Sequence, residues 1–433
     1  MKLRACAAMI IGALGTAAPA MAASEITDIR SDSTVETGDM LQLFIPLSGY
    51  MAAWMHDDWE GAKQLTYSVL ASQIIVDTTK KVVGRQRPSG TSPRSYPSGH
   101  AAAGFSGAHF LQMRYGAEWG IPAYAAASYV AYSRVHGKRH FVSDVTASAG
   151  ISFLVNQYFV SPYAADGVYM NAQQTEDGMA LNVTITEEAF NKERTAKDKI
   201  QHIATPLYNK IEVGLGSHLN FFTEDLIANS HFSDTKQVDK LQPYTRITYS
   251  RELSNNDMLD FEFIPTELRV NGTAKETFKY QDTTYNKGES LVSEYRHYML
   301  GGNVYKGYEP LDNFDVKFGL GFYAHHFGYE IANAEELGQH EKREYLRILP
   351  AMSARATYTL FDSLDLTGKY RYQVWGNNKH STAKLGVSYQ INRAWDMGLN
   401  YLASSTNLPS DTLGKNELSY DNSSVELVFS NRF

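Results

Sequence analysis

Between Lys80 and Asp144 the chain sets out Lys80, Arg87-Pro88, Pro97-Ser98-Gly99-His100, Ser133-Arg134, His140 and Asp144, in that order. These are the residue types that phosphate chemistry needs. A phosphate monoester carries close to two negative charges at neutral pH. Its transfer is catalysed mainly by neutralising them and holding the attacking and leaving groups in line. Arg87 and Arg134 offer planar forks for two-point contact, and Lys80 offers a compact point charge. Pro88 stops a helix just after Arg87. Ser98-Gly99 precede a helical run, so backbone amides and the Ser98 hydroxyl can approach an anion. Asp144 lies four residues after His140, on the same helix face. His100 and His140 can exchange protons near neutral pH. Singly, each residue reads as a solvated charge, a structural histidine or a helix cap. Their joint register points to chemistry.

The elements that must position these groups are helices. Residues 40–56, 61–83, 100–115, 120–137 and 144–160 carry alanine-rich helical spacing. None is a continuous apolar run long enough to span a bilayer. Lys63, Gln64, Gln73 and Asp77 interrupt the second, and Asn156 and Gln157 the last. The expectation is a packed bundle of the soluble or peripheral kind. Arg85, Arg94, Lys138 and Arg139 add positive charge beside the motifs and read mainly as solvated, with anionic headgroups as the alternative contact.

Written as patterns, the three segments are K-x6-R-P, P-S-G-H and S-R-x5-H-x3-D, with no position missing. In this register the chain resembles the type 2 phosphatidic acid phosphatase (PAP2) superfamily, over roughly residues 40–160. The resemblance implies a metal-independent phosphatase without a cofactor. His140 would be the nucleophile that forms a phospho-histidine, Asp144 the acceptor that fixes its tautomer, and His100 the acid that protonates the leaving oxygen. Lys80, Arg87, Ser98, Gly99 and Arg134 would bind the phosphate. The same superfamily includes vanadium haloperoxidases, but nothing in the chain argues for halide chemistry. The resemblance fixes reaction type better than substrate, because members act on phosphatidate, lipid A phosphates, isoprenyl diphosphates and soluble esters.

The rest of the chain is of another kind. The N-terminus has Lys2 and Arg4, then the small or apolar run Ala5–Ala18 and Ala20-Met21-Ala22, the pattern of a secretory signal peptide covering residues 1–22. Cys6, the single cysteine, lies inside it, so no disulfide framework is expected. The chain contains 28 Tyr and 20 Phe, the kind of residue that membrane barrels place in interfacial girdles. Mean hydropathy is −0.35, too polar for a helical membrane protein, and a net charge of −7 gives no sign of a nucleic-acid partner.

From about residue 206 the pattern alternates with period two, as in Phe314, Val316, Phe318, Leu320 and Phe322. Ten strands are expected, with eight to twelve as the range. They start near Lys210, Tyr244, Leu259, Leu291, Phe314, Tyr345, Leu364, Thr382, Trp395 and Val425. Short and long connections alternate, and the chain ends on Phe433, as outer-membrane barrels do. A β-sandwich is the competing architecture.

The expected organisation is multidomain: a signal peptide (1–22), an all-α PAP2-type bundle (23–165), a charged linker (166–205) and an antiparallel transmembrane β-barrel (206–433). The domain order places the phosphatase in the periplasm, on the inner face of the outer membrane. Its expected substrate is a phospholipid or lipid A phosphate, with barrel-assembly machinery as a partner during biogenesis. The alternatives are a soluble periplasmic ester as substrate, or a barrel that is itself the working part, as pore, adhesin or lipid-modifying enzyme. Ten strands leave a narrow lumen, which favours an anchor.

Overall fold

The computed structural model describes residues 32–163, 168–175, 178–185, 208–221, 231–239, 241–253, 256–334, 340–361, 363–408 and 419–433. The signal-peptide residues 1–22 and the charged run 187–204 lie outside them.

Five helices come first: α1 (Ser33–Met55), α2 (Trp59–Val83), α3 (Gly99–Tyr115), α4 (Ala117–His136) and α5 (Val142–Phe159). Local chemistry sets their ends. Asp32 and Asp58 cap α1 and α2 by accepting from the Thr34 and Gly61 amides at 2.9 and 2.8 Å. Gly84 closes α2 at φ +62°, a conformation open to glycine at little cost. Arg114 grips Asp58 through two bonds of 2.7 and 2.6 Å, tying the lower ends of α2 and α3 together. Successive helices run in opposite senses, so the loops 84–98 and 137–141 meet at one end of the bundle.

The stretch read as a linker contains an antiparallel hairpin, β1 (Val168–Thr175) and β2 (Gly178–Ile185). A ten-stranded antiparallel barrel follows, made of β3 (Asn209–Phe221), β5 (Gln242–Glu252), β6 (Met258–Ala274), β9 (Ser290–Leu311), β10 (Phe314–Asn333), β11 (His340–Leu360), β12 (Leu364–Trp375), β13 (Asn378–Gln390), β14 (Trp395–Asn407) and β15 (Ser419–Arg432). The pairing β15–β3 closes it. Short pieces β4 (Phe232–Gln237), β7 (Phe278–Tyr280) and β8 (Thr283–Tyr285) sit in the long connections. The connections 253–257, 312–313, 361–363 and 391–394 share one end, and the longer connections lie mostly at the other. All ten expected strands are present. β11, β13 and β15 begin four to six residues earlier than their alternation indicates, at His340, Asn378 and Ser419.

Side chains alternate between a polar lumen and an apolar outer wall. In the lumen Arg246 meets Glu426 at 2.6 Å and Glu212 at 3.3 Å, Arg371 meets Glu262 at 2.5 Å, and Lys369 meets Asp260 at 2.9 Å. Outside, Leu320, Phe322, Leu346, Ile348 and Leu385 are exposed.

The bundle is not appended beyond one end of the barrel. It packs along the outer wall. Helix α5 lies on β3, β5 and β6, and one core joins Phe105, Val145 and Phe153 of the helices to Val213, Ile247 and Phe263 of the wall. Gly150 marks the closest approach, since a Cβ there would sit 2.7 Å from Val213 Cγ1. No described helix is long and apolar enough to cross a membrane on its own.

Candidate active site

The motif residues meet at the loop end of the bundle, beside the wall. His140 is buried, in the turn before α5. Its Nδ1 donates to the Ser95 carbonyl at 2.7 Å, with Asp144 Oδ2 at 3.5 Å. The expected Asp144 acceptor is therefore only a flanking partner, and the backbone carbonyl fixes the tautomer. With Nδ1 engaged, the reactive lone pair falls on Nε2.

Asp144 is fully buried at the third position of α5. It accepts from Arg85 Nη1 at 2.7 Å, from the Ser95 hydroxyl at 2.5 Å and from the Phe141 amide at 2.9 Å. Burial alone would raise its pKa. Arg85 and His140 outweigh burial and hold the carboxyl well below the usual range.

Arg85 corrects the sequence reading of a solvated charge. It is 2% exposed, and besides Asp144 it reaches the Ser143 hydroxyl at 2.7 Å and Glu267 Oε2 at 3.6 Å. Glu267 belongs to β6 of the barrel. Its carboxylate accepts from the Val142 amide at 2.9 Å, from the Ser143 hydroxyl and from Tyr298 at 3.1 Å. The barrel wall thus caps the helix that carries Asp144.

Ser98 caps α3, accepting from Ala101 N at 3.4 Å, and its own amide donates to the Asp144 carbonyl at 3.2 Å. Ser148 of α5 donates to the Ser98 carbonyl at 2.7 Å. Gly99 opens α3, and its carbonyl accepts from Gln73 at 3.0 Å. These bonds tie the amino end of α3, with its partial positive charge, to the first turns of α5 and to α2.

Lys80 points from the last turn of α2 to the Pro97 carbonyl and, at 3.2 Å, to the Arg94 carbonyl. It therefore also holds the loop that presents Ser98. Burial draws its pKa down to about 8 against the pull of Asp144. Arg87 lies in the same loop, its amide donating to the Ser92 carbonyl at 2.9 Å.

Arg134 differs from an open fork. It is fully buried and bonds Asp39 at 2.6 Å, the Val35 carbonyl at 2.8 Å and the Ser133 hydroxyl at 3.1 Å. His100 is partly exposed, with Nε2 3.2 Å from Asp39 Oδ1. Burial and then Arg134 push its pKa down to about 4. His140 falls to about 4 as well, through burial opposed by Asp144, with Lys80 and Arg87 adding to the drop.

Asp39 of α1, which also lies 3.5 Å from Arg139, escaped the sequence reading. It lies 61 residues before His100, outside any motif window. Glu267 escaped for the same reason, although a carboxylate at an outward strand position was a visible anomaly.

Known proteins resemble this chain over the helical region. The PAP2 superfamily matches residues 61–163. The lipid A 1-phosphatase of Porphyromonas gingivalis is 37% identical over 92 residues, 20% of this chain and 21% of that protein. The match thus spans about a fifth of that relative's length. The lipid A 4'-phosphatase of Helicobacter pylori is 30% identical over 139 residues, 30% of this chain and 70% of that protein. The outer membrane protease OmpT of Escherichia coli aligns with 53% of this chain and 98% of its own, at 8% identity and a TM-score of 0.37. With the PAP2 family matched over residues 61–163 and the Helicobacter protein 30% identical over 70% of its length, the chain belongs to the PAP2 superfamily.

Proposed function

We propose that the chain is a metal-independent phosphatase that hydrolyses a lipid phosphate monoester through a phospho-histidine at His140, held in the outer membrane by its barrel. The observation that carries this reading is the His140 ring. Its Nδ1 is fixed on the Ser95 carbonyl beside Asp144, which leaves Nε2 as the reactive nitrogen, and the ring lies within the electrostatic reach of Lys80 and Arg87. That arrangement suits a nucleophile facing a bound dianion.

In the first step His140 Nε2 attacks phosphorus, and the P–O bond to the leaving alkoxide breaks. His100 gives that oxygen a proton. In the second step water attacks the phospho-histidine, His100 takes its proton, and the P–N bond breaks to release inorganic phosphate. Lys80 and Arg87 neutralise the charge that the phosphoryl group carries through both steps. Arg134, buried and held by Asp39, acts as a positioned cation beside His100. The lipid A phosphatases among the relatives favour a lipid phosphate, lipid A or phosphatidate, over soluble esters.

The barrel as pore or adhesin is the weaker reading, because the Arg246, Arg371 and Lys369 ion pairs cross its lumen. The experiment is inorganic phosphate release by detergent-folded protein and His140→Ala in EDTA, from phosphatidate, lipid A and para-nitrophenyl phosphate. Release that survives EDTA, vanishes in the variant and favours lipids supports the reading. Turnover confined to the soluble ester, or untouched by the substitution, overturns it.

A further inference from the structure

The sequence reading placed the phosphatase on the periplasmic side. The register between bundle and wall supports the opposite leaflet. We infer that the bundle lies in the bilayer against the barrel, and that its site opens at headgroup level on the long-loop side, so the substrate is a phosphate-bearing lipid of the outer leaflet. This rests on the phosphatase reading above for the chemistry, and on the following geometry for the side.

The outward face of the wall changes character along one line. On β6 the outward Phe261 and Phe263 give way to Glu267 and Arg269. On β11 the outward Ile348 and Leu346 give way to Glu344 and Lys342. The registers Glu267↔Arg296, Arg296↔Gly328 and Gly328↔Glu344 join these points across four strands. Glu267 stands nine residues above Met258, where β6 leaves a short turn. At ~3.3 Å per residue and a tilt of ~40°, that is roughly 23 Å, close to the height of about 25 Å of a barrel's apolar band. Glu267 therefore stands near the upper edge of such a band, on the long-loop side.

The active site sits at that edge. Glu267 caps α5 there, Arg269 donates to the Pro88 carbonyl at 2.8 Å, and Asp239 of a long loop accepts from the Gln86 amide at 2.7 Å. The other end of α5 reaches the opposite rim, with Tyr158 6.4 Å from Trp395 and Phe153 6.0 Å from Phe433, ring to ring. The bundle therefore spans the same height as the band.

Its free side matches that setting. Leu43, Leu47, Met51 and Trp54 form an exposed apolar stripe down α1, and Leu70 and Ile74 extend it on α2. Trp54 is 78% exposed. The 23 residues of α1 reach ~34 Å, a bilayer's depth. This face has the length and the apolar character of the wall's own outward band, so its occupant is lipid chains. Below the edge, on the far side of the site, the wall is hollowed into an apolar groove of 1210 Å3 between Leu300, Gly302, Phe322 and Pro350. A lipid whose phosphate lies at His140 has a seat for a chain there.

Short turns mark the periplasmic side of such barrels, so the test is topological. Single cysteines are placed at Thr91, in the exposed site loop, at Asp312, in a short turn, and at Leu47, on the stripe. Intact cells are treated with a membrane-impermeant maleimide, with the parent chain as the blank for Cys6. The expected result is labelling of Thr91→Cys in intact cells, of Asp312→Cys only after the outer membrane is opened, and of Leu47→Cys only in denaturing detergent. Thr91→Cys silent until opening overturns the leaflet, and Leu47→Cys labelled on opening overturns the immersion. Labelling does not depend on turnover. An outward-facing protein inactive in micelles counts against the phosphatase reading alone, and an active one labelled from the inside counts against this inference alone.

Discussion

Arg85 Nη1 lies 2.7 Å from Asp144 Oδ1, while its other amino nitrogen lies 3.6 Å from Glu267 Oε2 on the barrel wall. One buried guanidinium thus joins the carboxylate beside His140 to a strand of the other domain. If the wall faces lipid elsewhere, the apolar contacts of α5 with Val213 and Ile247 merely replace contacts with lipid chains and add little driving force. The polar ties at the upper edge then decide where the bundle sits.

Glu267→Gln is accordingly expected to damage catalysis without removing any group from the substrate. The variant keeps an acceptor for the Val142 amide but leaves Arg85 with one carboxylate. Breaking a buried ion pair from one side costs about 3–5 kcal/mol. Part of that cost falls on folding, and part on the orientation of Asp144. The check is kcat against KM on micellar lipid phosphate, with the yield of trapped phospho-enzyme. A fall in kcat of about tenfold or more with KM little changed marks a positioning residue. Equal kcat in the folded fraction would show that the barrel only anchors.

Asp39 makes a similar test at the rim. It accepts from Arg134 at 2.6 Å and lies 3.2 Å from His100. Asp39→Asn keeps the shape and removes the charge that favours protonated His100. Hydrogen bonds to charged groups contribute about 1.5–3 kcal/mol, and this one is discounted for its half-exposed setting. A loss of kcat/KM of about tenfold is expected, larger for substrates with a poor leaving group, because those need the acid. Equal losses for lipid phosphate and para-nitrophenyl phosphate would remove His100 from the role of acid.

The pH dependence follows from the two histidines. Burial, opposed by Asp144, holds His140 at about 4, and burial with Arg134 holds His100 at about 4, both below the ordinary 6.5. The unfolded chain binds more protons than the folded one between those values, so stability falls as pH drops from 6.5 through 4. In the proposed mechanism His140 acts neutral and His100 protonated. A bound phosphate dianion raises the pKa of His100. The alkaline limb of kcat/KM, which reports the free enzyme, is expected at least about one pH unit below that of kcat. Coincident limbs would contradict the acid role.

The ten strands and five helices are legible because their signals are local. Period-two alternation needs only neighbours. Pro88 reads as the stop of a helix just after Arg87, but α2 already ends at Val83, where Gly84 takes the left-handed conformation, so Arg87 lies in the loop. The late starts assigned to β11 and β15 have a physical cause. His340–Glu344 and Ser419–Ser424 are polar because they rise above the apolar band, and alternation of hydropathy ends where lipid ends. The motif residues are legible as a set because their spacing is fixed by one bundle. Arg85, Asp39 and Glu267 are not, since their partners lie 59, 95 and 125 residues away, and no local period encodes such contacts. Glu267 did leave a trace. Outward strand positions are apolar below it, so a carboxylate at that parity needs a partner outside the strand.

The lumen supplies the last prediction. Arg246 is buried among Glu426 at 2.6 Å, Glu212 at 3.3 Å and Glu262 at 3.9 Å, and Asn400 donates to Glu426 at 2.7 Å. Four strands of the lumen are joined through this one guanidinium. A plug of this kind closes a ten-stranded barrel without a dedicated domain, so the intact protein is expected to give no steady conductance in a planar bilayer. Glu426→Ala removes the nearest counter-charge and leaves Arg246 under-compensated, at a cost of about 3–5 kcal/mol. Water entering to solvate the exposed charge then opens a path between β15 and β5. The variant should unfold at a lower temperature in gel-shift assays of the heat-modifiable barrel and should show small, noisy conductance, while phosphate release in micelles stays near that of the parent chain. Steady conductance in the parent would instead make the barrel a pore in its own right.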